Sequence, residues 1–170
     1  MHMTRSNRVV STTAAAVVAM VTLTAAPAFA DGSSGDSSSG HSVVRARLMG
    51  STPAPVSPMI ADVKPGTVPW VNGPSNVRVR SDGRITVKIR RLVVPPPVGT
   101  GVNPVLSVVA TLVCGNMVKI PTAPFDLSTA GNGSTSQMIS VPRDCEDPAV
   151  LIQPAGNRTV YIASAMGEDD

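Results

Sequence analysis

Aromatic side chains are nearly missing from this chain: one Trp, one Tyr and two Phe among 170 residues, or 2%. A chain with so few rings has little to spare for the exposed platforms on which sugars and unpaired bases stack, because each ring is more useful filling a core. Charge is scarce too, at 15% Lys, Arg, Asp and Glu against roughly 25% in ordinary globular proteins. That argues against charge-rich disorder and against a salt-bridged coiled coil. Histidine occurs only at His2 and His41, and cysteine only at Cys114 and Cys145. Helical periodicity is absent from every window beyond residue 30. Proline and glycine, in contrast, number 16 and 14, which suits short strands and many turns. The length fits one ordinary domain.

The first thirty residues read as a secretory signal peptide. Arg5 and Arg8 form the positive start, Ala14 to Leu23 the apolar segment, and Pro27 breaks the helix before the small-x-small triplet Ala28-Phe29-Ala30. Cleavage after Ala30 is expected, leaving a secreted chain that begins at Asp31. An uncleaved anchor fits less well, since Ser11, Thr12, Thr13, Thr22 and Thr24 dilute the apolar run. No stable membrane insertion is expected after signal removal. Beyond residue 30 stand twelve Lys and Arg against eleven Asp and Glu, a net charge of +1. The overall charge of +3 is therefore partly a targeting feature, and no general attraction to nucleic acid is expected.

Export also decides the reading of the cysteines. In an oxidising compartment Cys114 and Cys145 are expected to form a disulfide. Closing a loop of this size stabilises by about 3.7 kcal/mol on loop-entropy grounds. A metal centre would need further ligands, which His41 alone does not supply, and redox work favours a C-x-x-C spacing that is absent.

Four segments follow from composition: a signal over 1–30, a Ser/Gly linker over 31–42, a folded region over 43–165 and an acidic tail over 166–170. Within the folded region nine short stretches read as strands: 43–48, 68–71, 77–80, 84–94, 105–114, 117–120, 137–141, 149–153 and 159–163. The run from Val105 to Cys114 is almost continuously apolar and suits a buried central strand. Seven to nine strands with this punctuation predict an all-β antiparallel sandwich.

One hairpin is specified in detail. A two-residue Asp82-Gly83 loop would mix the two faces of its strands. A three-residue loop over Ser81-Asp82-Gly83 instead pairs Val79 with Ile85 and Val77 with Val87, and puts Gly83 in a left-handed G1 bulge. The opposite face then carries Arg78, Arg80, Arg84, Lys88 and Arg90, with Arg80 facing Arg84. Arg91 breaks the alternation, so a bulge or strand end is expected near 90–91.

The succession Gly66-x-x-Pro69-Trp70, Ser81-Asp82-Gly83-Arg84, Asn103-Pro104-Val105, Cys114, Pro124-Phe125-x-Leu127-Ser128 and Cys145 resembles a group of small secreted actinobacterial proteins of unknown function. The resemblance spans about residues 64–165. It implies secretion and paired cysteines, and it transfers no site.

Chemistry is hard to find. The G-x-S-x-G elbow is missing, and a Ser-His-Asp or Cys-His centre would have to rely on His41 in its linker. Gly99-Thr100-Gly101 and Gly131-Asn132-Gly133 read as turns, not phosphate loops. Asp144, Glu146 and Asp147 offer carboxylates for hydrolysis or calcium, but neighbours on an extended chain point apart, so a solvated turn beside the disulfide is the plainer reading. Trp70 is either a ligand platform or core filling, and Asn132 and Asn157 begin glycosylation sequons that matter only in a glycosylating host.

The sequence therefore predicts a secreted, non-enzymatic structural or interaction module without catalytic residues, cofactor or metal. Its partner is unknown: an anionic cell-envelope component or another protein. One rival is a binder of an anionic envelope polymer through the basic hairpin face; a second is a carboxylate-dependent hydrolase.

Overall fold

A computed structural model of the chain describes residues 40–115 and 117–167. The signal segment, nearly all of the linker and the acidic Glu168-Asp169-Asp170 end lie outside the described residues. All regular structure among those described is β. In chain order the strands are β1 (Ser42–Arg47), β2 (Met49–Gly50), β3 (Lys64–Pro65), β4 (Asn76–Arg80), β5 (Arg84–Ile89) and β6 (Ser107–Cys114). They continue with β7 (Val118–Pro121), β8 (Phe125–Asp126), β9 (Gly133–Met138), β10 (Ala149–Pro154), β11 (Val160–Tyr161) and β12 (Ala163–Met166).

Two antiparallel sheets pack face to face. One has the order β1-β4-β5-β9; the other runs β2-β12-β10-β6-β7, with β8 beside β6. A short parallel pair, β3 and β11, completes the set. The alternation read from sequence explains the packing: Val77, Val79, Ile85, Val87 and Ile89 of the first sheet meet Val108, Ala110, Leu112, Val150 and Ile152 of the second in one core.

The central strands β6 and β10 of the second sheet are buried on both faces. Val113, Ala149 and Leu151 point the other way, into a smaller cluster with Ala61, Val63 and Tyr161. The segment 51–67 covers this face as a strap. Ser51 N donates to Ile162 O at 3.0 Å and Gly66 N to Tyr161 O at 2.9 Å, tying down its two ends. The Tyr161 hydroxyl donates to Pro58 O at 2.6 Å and holds the middle. Double coverage explains why β6 reads as a continuous apolar run and not an alternating one.

The hairpin has the three-residue register. Val79 pairs with Ile85 and Val77 with Val87, and Gly83 has φ +94° while its N–H donates to Arg80 O at 3.0 Å. β5 stops at Ile89, and Arg91 adopts a left-handed φ of 51°, with its N–H donating to Asn132 Oδ1 at 3.1 Å. The chain thus turns where the alternation breaks. Cys114, the last residue of β6, is bonded to Cys145 with a Cα separation of 4.8 Å.

Four strand expectations need correction. The single strand expected over 159–163 is two, β11 beside β3 and β12 beside β10, because the chain bends at Ile162. Around Trp70, Pro69 cannot donate to a ladder; only Val71 pairs there, in an isolated bridge with Val93. The long strand expected over 84–94 breaks at Arg91 for the same backbone reason that ends β5. The strand expected over 137–141 lies at Gly133–Met138. It is an edge strand of polar sequence, and Gln137 ties it to the connection between β7 and β8: Ala123 N donates to Gln137 Oε1 at 2.8 Å and Gln137 Nε2 donates back to Ala123 O at 3.1 Å.

A Cβ at Gly83 would meet the carbonyl of Ile139 as well as the left-handed backbone. Gly83→Ala is therefore expected to lower unfolding free energy by about 1–3 kcal/mol, measured by denaturant titration. Replacing both cysteines by Ala should cost about 2–4 kcal/mol; loss of under about 1 kcal/mol in the same assay would show that the bond does little.

Candidate anion-binding face

Turning the apolar side of the first sheet inward leaves its other side to water. Arg78 and Arg80 alternate with Val77 and Val79 on β4, and Arg84 and Lys88 with Ile85, Val87 and Ile89 on β5. Strand β1 adds two cations that the hairpin alone did not suggest. Its Val44 is buried in the core while Arg45 and Arg47 are exposed, and Arg45 lies beside Arg78 as Arg47 lies beside Asn76. Six cations therefore share one face across three neighbouring strands.

Asp82 relieves the crowding at the hairpin turn. Arg80 and Arg84 flank the loop, a repulsive juxtaposition by itself. The Asp82 carboxylate lies 3.2 Å from Arg80 Nε and accepts from the Arg84 N–H at 3.0 Å. Between the cations most outward positions are neutral hydrogen-bonding groups. Arg78 Nε donates to Ser42 Oγ at 3.3 Å, and the Thr86 and Ser136 hydroxyls are 3.4 Å apart.

Two shallow depressions mark the ends of this face. Arg45, Arg47, Asn76 and Arg78 line one of about 690 Å³, with Met166 contributing to its wall. Lys88, Arg90, Asn132 and Ser134 line another of about 300 Å³. Arg90 thus sits just beyond the end of β5 next to Lys88, its N–H donating to Ser75 Oγ at 2.9 Å. All five sequence-predicted basic residues lie on or at the margin of one surface. Arg45 and Arg47 were missed because their pairing with β4 joins segments thirty residues apart. The signal available was the Val44-Arg45-Ala46-Arg47 alternation, which matches the outward period of β4.

The other candidates gather into no centre. Asp144, Glu146 and Asp147 are exposed on the turn around Cys145, and Glu146 contributes its carbonyl to the Gly115 N–H at 2.7 Å. Among the described residues no three His, Cys, Asp or Glu side chains are grouped to hold a metal ion. His41 is exposed and uses its carbonyl to accept from Ser81 N at 2.9 Å. Trp70, Phe125 and Tyr161 are all buried, so Trp70 serves as core filling.

Comparison of the chain with protein-family models, curated proteins and solved structures found no match in any of the three.

Tyr161 links the strap to a measurable pH dependence. Burial raises its phenol above the ordinary value, and a hydrogen bond with Ser57 opposes this in part. The folded state therefore holds the proton more tightly than the unfolded chain. Stability from this group is intact below about pH 10, the ordinary phenol value, and falls as pH rises through the folded value. Tyr161→Phe should flatten the alkaline decline while costing about 0.5–1.5 kcal/mol at neutral pH through the lost bond to Pro58, as read from thermal unfolding at a series of pH values.

Proposed function

We propose that this chain is an exported, non-enzymatic binding module that holds an anionic polymer of the cell envelope on the outer face of its four-stranded sheet. The observation that carries this reading is the register of β1 on β4, which adds Arg45 and Arg47 to the cations of the hairpin. The result is a surface of six cations with the Asp82 carboxylate at its margin. Basic residues on an outer strand also discourage edge pairing, but only Arg45 and Arg47 lie on such a strand, and the other four stand on the inner strands β4 and β5. Together, cations on three adjacent strands concentrate potential on this face.

Export is supported by the arginine, apolar and small-x-small pattern of the first thirty residues. The Cys114–Cys145 bond is compatible with an extracellular location. Resemblance to small secreted actinobacterial proteins agrees with the same placement.

Individual exposed ion pairs contribute only about 0–1 kcal/mol, so the face has to act collectively. Binding should weaken steeply with salt, since exposed charges are screened over about 8 Å at physiological ionic strength. Pull-down on purified envelope should retain the wild-type chain at low salt and release it at high salt. An Arg78→Ser, Arg80→Ser, Arg84→Ser variant should be retained much less. Equal retention of both proteins, or retention indifferent to salt, would remove the polymer-binding reading.

A further inference from the structure

The cations are laid out in rows. Strand pairing sets Arg47, Asn76, Lys88 and Ser134 side by side in one row, and Arg45, Arg78, Thr86 and Ser136 in the next. Arg80 and Arg84, on either side of the turn, make a third, with Ser42 and Met138 at its ends. Each row holds two cations, and hydroxyl or amide groups occupy most of the remaining places. Successive rows are two residues apart along β4, β5 and β9, about 6.6–6.8 Å, and adjacent strands are about 4.8 Å apart; on β1 a register shift between Ser42 and Val44 makes the last step three residues.

The rows differ in strength. Asp82 offsets Arg80 in the third. The first and second meet at the depression lined by Arg45, Arg47, Asn76 and Arg78, which has no acidic side chain in its lining among the described residues. An anion is held best there.

A ligand that fits this layout carries one negative charge about every 7 Å. Two extended residues contain six backbone bonds and span that distance. A phosphodiester chain with a three-carbon bridge also has six bonds between successive phosphorus atoms, so its repeat is about 7 Å by the same reach. Five of the six cations are arginine, whose planar fork engages two phosphate oxygens together. Asn76, Thr86, Ser134 and Ser136 stand beside them to bond the hydroxyls of the bridges. Among the described residues Trp70, Phe125 and Tyr161 are buried, which leaves no Trp, Phe or Tyr ring on this face for stacking a base. Its apolar member within the rows is Met138, too little to insert into a bilayer.

Building on the polyanion reading, we infer that the ligand is a linear polyol phosphodiester lying across the three rows, with one phosphate anchored by Arg45, Arg47 and Arg78. Glycerol-phosphate oligomers of one to four phosphates, titrated into the disulfide-closed chain at low salt, test this by NMR and calorimetry. Glycerol phosphate itself should shift the side-chain signals of Arg45, Arg47 and Arg78 before those of Arg84. Affinity should rise at least threefold with each phosphate up to three and then level off. Arg45→Ser, Arg47→Ser, Arg78→Ser should weaken the three-phosphate ligand at least tenfold, and Arg80→Ser, Arg84→Ser by less than fivefold. The charge-conserving Arg45→Lys, Arg47→Lys, Arg78→Lys chain should lose threefold or more, and it decides the matter if the serine variant does not fold. Equal affinity per charge for polygalacturonate, duplex DNA or phosphatidylglycerol vesicles would overturn the phosphodiester assignment. Equal losses from the two serine variants would overturn the anchor. Either result leaves salt-dependent polyanion binding in place; failure of every polyanion to bind removes both readings.

Discussion

The pairing of β6 with β10 is the constraint on which the other elements depend. Six residue pairs join them, from Ala149 opposite Val113 to Pro154 opposite Val108. Because this ribbon is apolar on both faces, it must be covered twice. The four-stranded sheet supplies one cover and the strap over 51–67 the other. Each cover is then free to be polar on the side it turns away. Thr111 and Gln153, the polar pair within the ribbon, satisfy one another and the Arg158 carbonyl, so burial leaves them bonded.

A division of labour follows from that arrangement. Sheet residues facing inward are fixed by packing, since a one-residue slip of β4 or β5 would carry Val77, Val79, Ile85 and Val87 into water. The outward residues inherit this precision at no packing cost. Arginines in defined register, 4.8 Å and two residues apart, are therefore held by the core beneath them, although each is itself long and exposed. Asp82 shows how closely the surface is balanced, since one carboxylate at the turn answers both the Arg80 side chain and the Arg84 N–H.

Much of this was legible from short-range pattern. Alternation in 77–80 and 84–89, together with Gly83, sufficed for the hairpin register, and the unbroken run before Cys114 sufficed for a central strand. Strand β9 was displaced in the reading because its inward residues, Thr135 and Gln137, are polar and carry no hydrophobic signature. It is tied down by a side-chain amide, that of Gln137, whose partner, Ala123, lies fourteen residues away. The cationic face was half visible for a related reason. Local spacing located the hairpin cations, but which strand lies beside β4 is decided by long-range packing, and that choice brought in Arg45 and Arg47.

The Gln137 amide has one more effect. By bonding both backbone groups of Ala123 it anchors β9, one border of the four-stranded sheet, to the connection between β7 and β8; β1 is the opposite border. Two copies meeting border to border through β1 would bring Arg45 and Arg47 against their own counterparts. Mutual repulsion would then oppose the zipping of neighbouring molecules into a continuous ribbon.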